Sequence, residues 1–147
     1  MRYFEDFKVG DRFTSPGKTM TDAIVTTVVN LAGFTLAQFH DEEFARKTRF
    51  GRRIAPARFT LLMMGALEEQ SPMWADTEVL MVGLDKVKVP APLFPGDTIS
   101  VVCEVVETRE TSNSERGLVR HKSQCLNQKN EVICESESVH LVKRRPR

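Results

Sequence analysis

Ile99-Ser100-Val101-Val102-Cys103-Glu104-Val105, Leu118-Val119-Arg120-His121-Lys122-Ser123-Gln124-Cys125-Leu126 and Val132-Ile133-Cys134-Glu135-Ser136-Glu137-Ser138-Val139-His140-Leu141-Val142 decide the fold. Their alternation has a period of two, which suits strands with one face on a core and the other in water. Val79-Leu80-Met81-Val82, continued by Leu84, Val87 and Val89, reads as a further strand of the same kind. Pro95-Gly96-Asp97, Ser112-Asn113-Ser114 and Gln128-Lys129-Asn130 are turn compositions between these runs, so the strands are expected to be long and antiparallel.

Upstream the pattern is helical. Ala23-Ile24-Val25-Thr26-Thr27-Val28-Val29-Asn30-Leu31-Ala32 is apolar nearly all round, with Thr21-Asp22 as an N-cap and Gly33 as a stop, so a deeply buried helix is expected. Residues 34–40 read as irregular. Asp41-Glu42-Glu43-Phe44-Ala45-Arg46-Lys47 opens on acids and closes on bases, which complements the dipole of a short helix. Phe50-Gly51-Arg52-Arg53 reads as a loop, and Pro56 suits the first turn of another helix through Leu67, with Phe59, Leu62, Met63 and Ala66 facing inward. At the start of the chain, Val9-Gly10-Asp11 is a turn signal, and the stretch from there to Met20 suits an edge strand. Helices early and strands late imply an α+β domain, one sheet covering a buried helix, spanning residues 1–147 as one unit. Exposed sheet edges favour a dimer.

Composition limits the function. With 147 residues, 41% hydrophobic, and 21 Lys plus Arg against 20 Asp plus Glu, the chain has one core and no bulk field for nucleic acid or an anionic membrane. No apolar run approaches the roughly 20 residues of a membrane span, and Arg2, Glu5 and Asp6 interrupt any secretory segment, so a soluble, cytoplasmic protein is expected. Cys103, Cys125 and Cys134 form no CxxC pair and read as small buried hydrophobes, so no metal is expected. The basic end, Lys143-Arg144-Arg145-Pro146-Arg147, reads as a solvated tail.

Phosphate-binding P-loops, GxGxxG, HExxH and GxSxG are all absent from the sequence. Of three histidines, His121 and His140 fall in strand segments and read as structural, whether solvent-facing or hydrogen-bonded; only His40 lies between helices.

Tyr3-Phe4-Glu5-Asp6-Phe7-Lys8-Val9-Gly10-Asp11, Thr21-Asp22-Ala23, Asn30-Leu31-Ala32-Gly33, Asp41-Glu42-Glu43-Phe44-Ala45, Phe50-Gly51-Arg52-Arg53-Ile54-Ala55-Pro56 and Phe94-Pro95-Gly96-Asp97-Thr98-Ile99 run through the chain in order. In these segments it resembles the MaoC-like dehydratases of the hot-dog fold, which include R-specific enoyl-CoA hydratases. The resemblance implies a single hot-dog domain with a long central helix wrapped by an antiparallel sheet. It also implies dimerisation, and an acyl thioester of CoA or carrier protein as ligand, with no other cofactor.

Hydration of an enoyl thioester needs a base for water, an acid for carbon, and donors for the thioester oxygen. The family places an aspartate and a histidine in Gly-Asp-x-Asn-Pro-x-His after a helix. Here the segment is Gly33-Phe34-Thr35-Leu36-Ala37-Gln38-Phe39-His40. Ungapped, the dyad positions are Phe34 and Phe39, with Leu36 at the asparagine. Slipping by one residue recovers His40 but puts Thr35 at the aspartate. A phenyl ring moves no proton, so Phe34, Leu36 and Phe39 are expected to line an acyl tunnel. The family's oxyanion donor maps to the backbone N–H of Ala57 at a helix start. Arg58 follows it, and Arg58, Arg49, Arg52, Arg53, Lys86 and Lys88 are candidates for CoA phosphates or, equally, solvated charge.

Three readings remain open. The chain binds an acyl thioester without chemistry of its own, alone or beside a MaoC-like subunit that carries the dyad. Alternatively it is an active hydratase with His40 as a relocated base, supported by Asp41 or Asp22. The third reading is a hot-dog thioesterase that uses Asp22.

Overall fold

The computed structural model describes residues 1–146. Its strands are Arg12–Thr14 (β1), Lys18–Thr19 (β2), Val79–Lys88 (β3), Thr98–Glu110 (β4), Arg116–Leu126 (β5) and Val132–Lys143 (β6). They form one antiparallel sheet in the order β1-β4-β5-β6-β3, with β2 also paired to β4. Alternation in β4 does what the sequence requires: Ile99, Val101, Cys103 and Val105 are wholly buried. All three cysteines are buried and free.

The helices are Asp22–Ala32 (α1), Ala37–His40 (α2), Glu42–Arg46 (α3) and Ala57–Gln70 (α4). The helix covered by the sheet is α4, not α1. Phe59, Thr60, Met64, Leu67 and Glu68 are its buried residues. Of the inward set expected from the sequence, Phe59 is buried and Met63 is half-buried, while Leu62 and Ala66 are exposed and line a cavity beside β3. Pro56 is the N-cap of α4 and not part of its first turn.

In α1 the predicted caps are present. The Thr21 hydroxyl accepts from the Ile24 N–H at 3.2 Å, and Gly33 closes the helix at φ +78°, a left-handed conformation that glycine adopts without strain. Deep burial is not found: only Val25 and Val29 are buried, and Leu31 is 86% exposed. A helix packed on one side buries only positions one turn apart, whatever its overall apolarity.

Two smaller expectations change as well. Residues 34–40 include the single turn α2 instead of being irregular throughout. The basic tail is tied down: Lys143 pairs with Glu78, Arg144 with Glu5 and Glu110, and Arg145 with Asp6, so it clamps the chain's two ends; Arg147 lies outside the described residues. The short α3 forms as expected, its N-cap Asp41 accepting from the Phe44 N–H at 2.9 Å. No helix among the described residues is long and apolar enough to cross a membrane.

Candidate functional site

Residues 33–40 leave the C-terminus of α1 and turn through α2. Phe34 and Phe39 meet edge to face, with ring centroids 6.0 Å apart and an interplanar angle of 82°, and both are half-buried against the core. Leu36, expected beside them in an acyl tunnel, is 59% exposed and is not among the hydrophobic residues packed on the core. His40 is exposed, and its Nε2 is held against the Phe34 carbonyl oxygen. The loop therefore carries an aromatic pair with an exposed histidine beside it.

Next to it, Ala55 donates its N–H to the Leu93 carbonyl at 2.8 Å, which anchors the entry to α4. Pro56 offers no side-chain cap. The first N–H groups of a helix have no intrahelical acceptor, so the exposed Ala57 N–H is open to a carbonyl oxygen. Arg58 is exposed beside it.

Most of the cations proposed for phosphates have protein partners. Arg53 pairs with Asp22 at 3.2 Å and Glu42 at 2.6 Å, and hydrogen bonds to those two carboxylates hold its guanidinium above the ordinary value. Arg52 donates to the Pro95 carbonyl and stacks over Phe94, and Arg49 stacks over Phe50. Lys86 pairs with Glu137 at 3.1 Å, and with Lys88 and Lys122 it lines a cavity of about 250 Å³. Asp22 is occupied by Arg53, and its Oδ1 also accepts from the Thr26 hydroxyl.

A second group lies under the other end of α4, where sequence reasoning foresaw no site. Glu68, nearly buried, accepts from His121 Nε2 at 3.3 Å. The His121 and His140 rings stack with centroids 5.1 Å apart, and Trp74 lies against both. Burial, with the neighbouring His121 ring adding to it, pulls the His140 imidazole down to about 4. Glu68, Cys103 and His121 each bring one metal-type ligand atom to within 4.8 Å of the others. Burial pushes the Cys103 thiol up to about 12, so it stays protonated, and the Ser123 hydroxyl donates to its sulfur. The group is joined by hydrogen bonds between His121 and Glu68 and between Ser123 and Cys103. Its sequence signal was the run of His and Ser at period two in β5 and β6.

A family model described as FAS1-like, dehydratase domain region, matches residues 9–136. The chain belongs to the MaoC-like dehydratase family. Among curated relatives of this family, the chain is 26% identical over 144 residues to the beta-methylmalyl-CoA dehydratase of Chloroflexus aurantiacus, covering 97% of this chain and 40% of the relative. It spans well under half the length of the curated relatives it matches. A MaoC-like dehydratase structure from Rhodospirillum rubrum superimposes with a TM-score of 0.86 at 30% identity, covering 100% of both chains. A Mycobacterium tuberculosis protein with a double hot-dog fold matches at a TM-score of 0.87 and 16% identity, over 99% of this chain and 45% of that one. The fold of this MaoC-like chain is therefore the hot-dog, with α4 inside the sheet.

Proposed function

We propose that this MaoC-like chain binds an acyl thioester, of CoA or of a carrier protein, at the first turn of α4, and that it has no hydration chemistry of its own. The observation that carries this reading is the Phe34–Phe39 pair. At the positions of the family's aspartate and histidine stand two rings packed on each other, which shape an apolar wall and move no proton. The uncapped Ala57 N–H remains a donor for a thioester oxygen.

A chain of this kind acts beside one that carries the dyad. Supporting this, β3 is a sheet edge whose Leu80, Met81, Val82, Leu84 and Val87 are all exposed, an apolar strand free to pair with a second subunit. We place a MaoC-like subunit bearing Gly-Asp-x-Asn-Pro-x-His on that edge. A relocated base at His40 is less favoured because its ring is taken up by the Phe34 carbonyl, and a thioesterase using Asp22 because that carboxylate is paired with Arg53.

The test is hydration of crotonyl-CoA and longer trans-2-enoyl-CoAs, followed by loss of enoyl absorbance, with calorimetric titration of octanoyl-CoA alongside. Binding without turnover is expected. Turnover by the chain alone that disappears in His40→Ala would replace this reading with the relocated site, and release of free thiol from saturated acyl-CoAs would replace it with a thioesterase.

A further inference from the structure

A hot-dog core is normally apolar where the sheet meets its helix, and here it is not. On the inner face of β5 and β6, His121 stands opposite Ser138, Ser123 opposite Ser136, and Val119 opposite His140. These five polar side chains are 0–8% exposed. Glu68 comes down on them from α4. His121 Nδ1, His140 Nδ1 and the Ser136 hydroxyl are buried with no hydrogen-bond partner among the described residues. Each such group costs roughly 1–3 kcal/mol when left unsatisfied, and two of the three, on His140 and Ser136, belong to residues that line a cavity, which points to a ligand there that satisfies them.

The cluster borders a cavity of about 720 Å³, within the range of small-molecule sites. Leu61, Leu62, Trp74, Val79, Met81 and Leu84 form its apolar wall. Its polar floor is Glu68, Ser136, Ser138 and His140. Such a lining fits a molecule with an apolar body and one hydrogen-bonding end.

Position supplies the rest. Along α4 the cavity lining runs from Leu61, one turn beyond Ala57, to Glu69, with Glu68 about 16 Å from Ala57 along the helix axis at the usual rise. A chain whose thioester sits at Ala57 would run into it. We propose, resting on the thioester-binding reading above, that this cavity receives the far end of the acyl chain and that His140, Ser136 and Ser138 select chains ending in an uncharged oxygen, a hydroxyl or ketone. A carboxylate end would face Glu68 in a water-poor site. A cationic end is disfavoured too, since even the His140 imidazole beside Glu68 is held neutral by burial.

Trp74, the one tryptophan in the chain, lies on the cavity wall and reports its occupancy. The experiment is a Trp74 fluorescence titration of the full chain with dodecanoyl-CoA, omega-hydroxydodecanoyl-CoA and dodecanedioyl-CoA, chains long enough to span from Ala57 to the polar floor, each repeated by calorimetry. The hydroxylated chain is expected to bind at least roughly tenfold tighter than the other two, the worth of a satisfied buried hydrogen bond. His140→Phe is expected to erase that preference, so that the hydroxylated and unsubstituted chains bind with the same affinity. Ser138→Ala, a smaller change that tests the same floor if the first variant fails to fold, is expected to reduce it. Equal binding of all three chains, or tightest binding of the carboxylated one, overturns the selectivity and leaves thioester binding standing. Failure of all three to bind overturns both.

Discussion

The two ends of α4 differ in character. At its N-terminal end, the loop after α1 holds Phe34 and Phe39, two rings that make contact with each other and no hydrogen bond through their side chains. Under its C-terminal end, where a sheet and helix ordinarily bury aliphatic groups, Glu68, His121, His140 and three serines are buried together. Burial is favourable for the first set and costly for the second, by the desolvation of every polar atom that lacks a partner. A core that keeps such a cost has either found internal partners, as Glu68 and His121 have, or reserves those atoms for something that enters.

The strongest way to break this contrast is pH. The folded His140 imidazole is held at about 4 against an ordinary 6.5, so the unfolded chain takes up a proton in a range where the folded chain does not. Its contribution is fully present above about pH 6.5 and is lost as pH falls toward 4, on the order of 3 kcal/mol in all. Urea unfolding at a series of pH values, with His140→Phe beside the native chain, isolates this part of the slope. Parallel curves for the two proteins would mean that the floor carries no such penalty.

Next in size is Glu68→Ala, which strands the His121 N–H in the core and should cost about 2 kcal/mol in denaturant unfolding. Replacing both partners, as Glu68→Leu with His121→Leu, should recover much of that loss, because no orphaned group remains. If the double variant is less stable than the single one, the pair is worth more than its desolvation. Phe34→Ala should cost about 1 kcal/mol for the edge-to-face contact, with a further loss of apolar burial. His40→Ala should change stability by less than about 0.5 kcal/mol, since the ring is exposed and touches only the Phe34 carbonyl. A larger effect at His40 than at Glu68 would reverse the comparison between the two ends.

Much of the fold was legible before any coordinates. Alternation placed β3 to β6, turn residues separated them, and Thr21, Gly33 and Asp41 bounded helices as capping chemistry requires. The two phenylalanines of the loop were equally legible, because they depend only on which residues occupy one short segment. The tail was misread because Arg144 and Arg145 have their partners at Glu5 and Asp6, at the opposite end of the chain.

What the sequence determined by itself was local: periods, caps, turns, and the absence of titratable side chains at positions 34 and 39. What tertiary structure alone decided was which helix the sheet encloses and what meets beneath it. The strongly apolar α1 lies to one side with Leu31 in solvent, while α4 carries Glu68 into the core. Glu68 and His121 are 53 residues apart, and neither segment names the other. A strand's period says that His121 and Ser123 share a face, but only the pairing of β5 with β6 and the docking of α4 say that this face is the inner one, where an uncompensated polar atom is expensive.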